Sequence, residues 1–248
     1  KLFFRSFAFT NQQCDDSGET GNAIGGHKRK NVYRRMKTQY LNSVILALLL
    51  FVCLAFAIQK TTPIYFETPK NWPKPHYDFS KNPLTEEGFQ LGRKLFYDPI
   101  MSRDSTISCA SCHLQATGFT HVDHELSHGI DGKIGTRNSM ALINLAWKKD
   151  FLWDGGANHL DVQPLNPITS PFEMDETLEH IVAKLQKSKQ YRPLFEAAFG
   201  TSKVTGQHTL KALSQFMLLL TSSNAKYDQV MRREAVFSES EQKGYVIF

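Results

Sequence analysis

Two cysteines separated by two residues and followed at once by a histidine, Cys109-Ala110-Ser111-Cys112-His113, constrain this 248-residue chain more than any other feature. The pattern is that of a c-type haem attachment site. Each thiol adds to one haem vinyl group, the two-residue gap spans the porphyrin edge, and the adjoining imidazole reaches the iron as its proximal ligand. A reduced thiol pair, a disulfide or half of a zinc site would share this spacing. Zinc needs a second ligand pair, and the remaining cysteines, Cys14 and Cys53, lie far upstream in segments read below as non-structural.

The net charge of +5 suggests a basic protein until it is located. Residues 1–37 hold eight Lys/Arg and three acids, and the rest of the chain balances 21 of each sign. The surplus therefore belongs to a targeting region, and no nucleic-acid-binding face is indicated. Lys28-Arg29-Lys30 and Arg34-Arg35-Met36-Lys37 form a positive stretch ahead of the apolar run Val44–Ile58, and Ala55-Phe56-Ala57 offers a small-residue cleavage site. At 15 residues the run fits a secretory segment and is short for a membrane span. An N-terminal membrane anchor over residues 38–59 stays open, because that stretch carries no charge. Residues 36–57 are accordingly read as a signal peptide or anchor, and residues 1–35 as upstream or disordered sequence. Export, to the periplasm or beyond, suits a haem that is attached outside the bacterial cytoplasm.

Residues 58–83 carry Pro63, Pro69, Pro73, Pro75 and Pro83, and predict an extended arm laid over a core. Residues 84–236 predict one mostly α, cytochrome c-like haem domain. Thr85-Glu86-Glu87 starts a helix, Phe89, Gly92, Leu95 and Phe96 stripe it, and Asp98-Pro99 ends it. Residues 114–137, rich in Gly and His, predict a long loop. Asn138 is expected to cap a short helix through Leu142, Ile143, Ala146 and Trp147. Asp154-Gly155-Gly156 predicts a turn, and Pro164, Pro167 and Pro171 a rigid connection. Asp175 is expected to cap a helix bearing Leu178, Ile181, Val182 and Leu185, and Pro193 opens another that stops at Gly200. Leu210, Leu213, Met217 and Leu220 stripe a longer helix, and no strand is expected.

The last twelve residues, Phe237 to Phe248, echo Leu84 to Phe96: an apolar residue, a hydroxyl and acids, then Gly-x-x-x-Phe. The first copy leads into the haem motif. The second predicts the start of a further haem domain over residues 237–248, with chance recurrence of a similar helix as the alternative.

Several segments together resemble the N-terminal half of the bacterial di-haem cytochrome c peroxidases, a family that includes the methylamine-utilisation di-haem oxidases. They are Leu91-Gly-Arg-Lys-Leu-Phe-Tyr-Asp-Pro99, Ile107-Ser-Cys-Ala-Ser-Cys-His113, Gly135-Thr-Arg-Asn138, Phe151-Leu-Trp-Asp-Gly155 and Pro167-Ile-Thr-Ser-Pro-Phe-Glu-Met174. The resemblance implies two all-α domains with one haem c each, the first meeting peroxide and the second relaying electrons. It implies that Cys109 and Cys112 anchor the peroxidatic haem and that His113 is its proximal ligand. Glu173 matches the family's distal acid/base, which moves a proton from one peroxide oxygen to the other; an acid placed ahead of a helix N-terminus is its ordinary alternative. Trp153 matches a tryptophan lying between the haems, against the ordinary use of a core aromatic. Asn138 matches a ligand of an inter-domain calcium ion, against a plain N-cap. Arg137 would pair with a haem propionate, against a free surface arginine.

One position departs from the pattern. Where many members carry a distal histidine eight residues before the matched Asn, this chain has Ile130. Either His128 reaches the iron through a shifted loop, or the distal side is already open. His121, His124 and His128 otherwise read as solvated loop histidines. The leading functional expectation is an exported peroxidase that reduces hydrogen peroxide with electrons from a small cytochrome c or cupredoxin. A di-haem oxidase of the methylamine-utilisation kind is the second. An electron carrier with Met140, Met174 or Met217 on the iron is the third. A homodimer is left open.

Overall fold

The computed structural model describes residues 35–48, 61–122 and 125–248. They fall into two units, residues 1–58 and 59–248. In the first, residues 35–48 form a helix, α1, with every residue exposed. Among the described residues no helix is long and apolar enough to cross a membrane. The expectations for residues 1–34, for the end of the apolar run and for the Ala55-Phe56-Ala57 cleavage site lie outside the described residues.

The second unit is built on α2, Glu86–Tyr97. The Thr85 hydroxyl accepts a hydrogen bond from the Gly88 amide at 3.0 Å, and Glu86 and Glu87 complement the positive end of the helix. Leu91, Gly92, Leu95 and Phe96 are buried. The helix stops at Asp98, ahead of Pro99. The Asp98 carboxylate then accepts from the Ile100 amide and, at 2.7 Å, from the Tyr191 hydroxyl, which ties the end of α2 to α6, Tyr191–Phe199. Against α2 lies α7, Gly206–Leu218, whose residues from Thr209 onward are almost all buried. The helices touch backbone to backbone at Gly92, where a Cβ would stand 1.9 Å from the Ala212 carbonyl oxygen, and a Cβ on Gly88 would meet the side-chain amide of Gln215. Gln215 is itself buried and satisfied, accepting from the Thr85 amide and donating to Asn82.

Residues 61–85 run over this core without helix. The Ile64 amide donates to Leu84, the His76 and Tyr77 amides to Ala146, and the Trp147 indole to Pro73. Trp72 and Trp147 meet edge-on at 4.7 Å between ring centroids. The mostly α expectation holds: the described residues contain no strand, only isolated bridges such as Leu114–Thr120 and Phe151–Ala157.

Three local expectations need correction. Asn138 caps nothing; its side-chain amide donates to the His121 carbonyl, and only a 3-10 turn, Leu145–Trp147, forms downstream. Tertiary hydrogen bonding has taken the cap residue. The connection expected from Pro164, Pro167 and Pro171 contains a short helix: Pro164 sits at the head of α4, Leu165–Thr169, with Pro167 in its first turn, where a missing amide costs nothing. Finally, the cap of α5, Leu178–Lys187, is Thr177, whose hydroxyl accepts from the His180 amide at 3.2 Å. Asp175 lies two residues earlier, at φ +49°, paired with Arg103. Thr177→Ala is therefore expected to lower stability by about 1 kcal/mol in urea unfolding. Asp175→Ala should leave helix capping untouched.

Beyond α7 lie α8, Lys226–Met231, and α9, Glu239–Ile247. Ser238 and Glu241 cap α9 reciprocally, much as Thr85 caps α2. Unlike α2, α9 buries none of its residues, and a Cβ on Gly244 would meet nothing within 4 Å.

Candidate haem site

The haem motif forms a single helical turn, α3, Cys109–Cys112, between α2 and the long loop. The Ser111 hydroxyl accepts from the Ser108 amide, and the His113 amide closes on the Cys109 carbonyl at 3.0 Å. One turn brings residues i and i+3 onto one face. Cys109, Cys112 and His113 accordingly line one cavity of about 420 Å³. Burial and the neighbouring Cys112 push the Cys109 thiol up to about 12, and burial also raises Cys112.

The His113 ring is oriented before any metal arrives. Its Nδ1–H donates to the Phe119 carbonyl at 2.8 Å, which points Nε2 into the cavity, where the Met140 backbone carbonyl is its neighbour until a metal takes that nitrogen. Burial pushes its basicity down, opposed by the Phe119 and Met140 carbonyls, and so favours the uncharged ring that metal ligation uses. The carbonyl is aimed by an unusual turn in which Gly118 and Phe119 both take positive φ, +73° and +61°. A bulky residue in that region is costly and persists where its surroundings impose it. Sequence reading missed Phe119; Gly118 was the only signal of the turn.

Glu173 lines the same cavity, on the turn between α4 and α5. It is half-buried, and burial raises its carboxyl above the ordinary value, partly offset by the Ser170 hydroxyl. Its charge is felt at Cys112, whose thiol it also raises. The loop ahead of it is pressed against its backbone: a Cβ on Gly129 would stand 2.0 Å from the Phe172 carbonyl oxygen, and the Ile130 amide donates to the Glu173 carbonyl at 2.8 Å. Gly129 is thus a second residue that sequence reading missed.

Arg137, Asn138, Trp153 and Asp154 line the cavity at its exposed side and bond to one another. Arg137 pairs with Asp154 at 3.2 Å, and the Trp153 indole donates to the Asn138 carbonyl at 2.8 Å. Trp153 is 60% exposed and is not packed into the core of the described residues. The Asn138 side-chain oxygen is buried and has no partner, as a cation ligand would be. Among the described residues, however, no group of three or more His, Cys, Asp or Glu is arranged to hold a metal.

Ile130 is fully buried and does not line the cavity. His128 is exposed and also lies off the cavity wall; its carbonyl accepts from the Cys112 thiol at 3.4 Å. Against the expectation of a solvated loop histidine, His121 is buried, its carbonyl taken by the Asn138 amide as distant loop segments meet, and His124 lies outside the described residues. Met140, Met174 and Met217 all line the cavity. The residues present fit a haem c. Two thiols and a pre-oriented imidazole line a largely apolar cavity of ligand-binding size.

The sequence profile described as di-haem cytochrome c peroxidase matches residues 86–236. The methylamine utilization protein MauG of Methylorubrum extorquens is 34% identical over 191 residues, covering 74% of this chain and 51% of that protein. The cytochrome c peroxidase Ccp of Escherichia coli is 33% identical over 170 residues, covering 68% of this chain and 36% of that protein. A crystal structure of a MauG-like protein associated with microbial copper homeostasis superposes with a TM-score of 0.67 at 33% identity, covering 73% of this chain and 54% of the other. The chain spans about half the length of the first of these relatives. With the attachment motif, the oriented imidazole and the cavity all inside the matched stretch, the chain belongs to the di-haem cytochrome c peroxidase family.

Proposed function

We propose that this chain forms the peroxide-reducing part of an exported haem peroxidase. The observation that supports this reading is Glu173, a half-buried carboxyl lining the cavity that also holds Cys109, Cys112 and His113. Bound haem c would supply the iron that polarises peroxide and takes up its oxidising equivalents. Cys109 and Cys112 would hold the macrocycle through thioether bonds, and His113, with Nδ1 tied to the Phe119 carbonyl, would be the iron's protein ligand. Glu173 takes a proton from the nearer peroxide oxygen and returns it to the leaving one, so water departs in place of hydroxide. Ile130, buried and off the cavity lining, puts no histidine in the position from which peroxide would have to displace one. Trp153, exposed at the rim, passes electrons from a small redox protein, Arg137 neutralises a haem propionate, and the orphaned Asn138 oxygen takes part in a calcium site.

The test is the pH dependence of peroxide reduction by the haem-loaded protein. Burial raises the Glu173 carboxyl, so the proton acceptor is lost as pH falls through that raised value. The acid limb of kcat/KM is therefore expected above about 4.3, the ordinary value for Glu. A profile flat down to that pH would contradict this role.

A second reading, an oxidase of the methylamine-utilisation kind, is favoured by Ile130 standing where many peroxidases carry a histidine. Faster oxidation of an organic or protein substrate than of the redox-protein donor would select it.

A further inference from the structure

The peroxidase reading needs Glu173 held at the cavity, and three segments far apart in sequence meet around its turn. From the first, just before the haem motif, the Arg103 amide donates to the Met174 carbonyl at 3.0 Å. The Arg103 guanidinium then reaches two carboxylates: Asp175, two residues past Glu173, at 2.5 Å, and Asp131, in the loop pressed against Glu173, at 2.7 Å. That loop supplies the Ile130 amide to the Glu173 carbonyl, and the Lys133 ammonium to the Pro171 carbonyl at 3.1 Å. Both acids that Arg103 holds sit in the left-handed region, Asp131 at φ +55° and Asp175 at φ +49°. Asp tolerates that region better than most residues, yet it persists there because the surroundings impose it.

We infer that Arg103 is a positioning residue for Glu173: by bridging Asp131 and Asp175 it locks the 129–131 loop to the 173–175 turn and fixes where the Glu173 carboxylate stands. This deepens the peroxidase reading and rests on it. A planar fork reaches two carboxylates at once, which the point charge of a lysine does not. The Arg103 side chain is 44% exposed and its partners 49% and 29%, so these pairs contribute little to global stability. Their effect is on placement, where a small displacement is costly to rate.

The test uses the haem-loaded protein carrying Arg103→Ala, Arg103→Lys, and Arg103→Ala combined with Glu173→Gln. Peroxide turnover is one readout. Hydrogen exchange at the Ile130 amide is the other, and it needs no turnover. Arg103→Ala is expected to lower turnover roughly tenfold by misplacing the carboxylate, with faster exchange at Ile130 and little change in the thermal midpoint. Arg103→Lys, keeping one of the two pairs, falls between. In the Glu173→Gln background Arg103→Ala lowers the rate no further, because it acts through the group already removed. Unchanged exchange at Ile130, turnover within a factor of two of the parent, or additive losses would overturn the inference. Were Glu173→Gln alone without effect, the peroxidase reading would fail, and exchange at Ile130 would still decide whether Arg103 locks the turn.

Discussion

Glu173→Gln in the haem-loaded protein is expected to lower peroxide turnover by about a thousandfold, the middle of the range for a positioned acid/base. The amide keeps the shape and the backbone bond from Ile130, so the turn and cavity survive. In the proposed mechanism, what disappears is a proton acceptor whose basicity burial has raised. Without it, heterolysis must expel hydroxide into a largely apolar pocket, where a bare charge is poorly solvated. The acid limb of the rate profile should vanish with the rate, and haem content and His113 ligation should stay as they were. A variant retaining more than a tenth of the parent rate would leave Glu173 as an ordinary acid ahead of α5.

The second large effect is on stability. Gly92→Ala places a methyl group 1.9 Å from the Ala212 carbonyl oxygen, and both partners are helix backbone. No rotamer change relieves that, so α2 and α7 must separate along a contact in which Phe89 and Phe96 meet Phe216. Overpacking of this kind is expected to cost about 3 kcal/mol or more, seen as a lowered urea midpoint with the haem in place. Gly244→Ala is the matched control. That glycine holds the same place in the echoed sequence, but nothing lies within 4 Å of it. There the better helix propensity of alanine should stabilise α9 by up to about 1 kcal/mol. Equal effects at the two positions would contradict the packing described here.

Those glycines show what the sequence made legible and what it did not. Features set by a few adjacent residues were readable: the haem turn, the Thr85 cap, the stripe of α2 and the Gly200 stop of α6, which sits at φ +69°. Where two nearby residues can each do one job, local chemistry did not choose between them. Asp175 and Thr177 are both competent caps, and the choice was made by Arg103, 72 residues away, which takes the aspartate. Asn138 lost its helix in the same way, to the His121 carbonyl. The geometry around the haem ligand and Glu173 was the least legible part. It rests on Phe119 at positive φ and on Gly129 packed against Phe172, both decided by how distant segments meet. The candidate site residues themselves were legible through their motifs, and the cavity brings Cys109, Cys112, His113, Glu173, Trp153, Arg137 and Asn138 together while leaving His128 outside.

The central claim is that a haem is covalently fixed at Cys109 and Cys112, and peptide mass spectrometry of the purified protein tests it most directly. The account predicts that the peptide containing residues 109–113 carries the mass of one haem, absorbs visible light, and yields no alkylated cysteine, with Cys109→Ala plus Cys112→Ala abolishing all three. Recovery of that peptide at its bare mass, with both thiols open to alkylation, would contradict it.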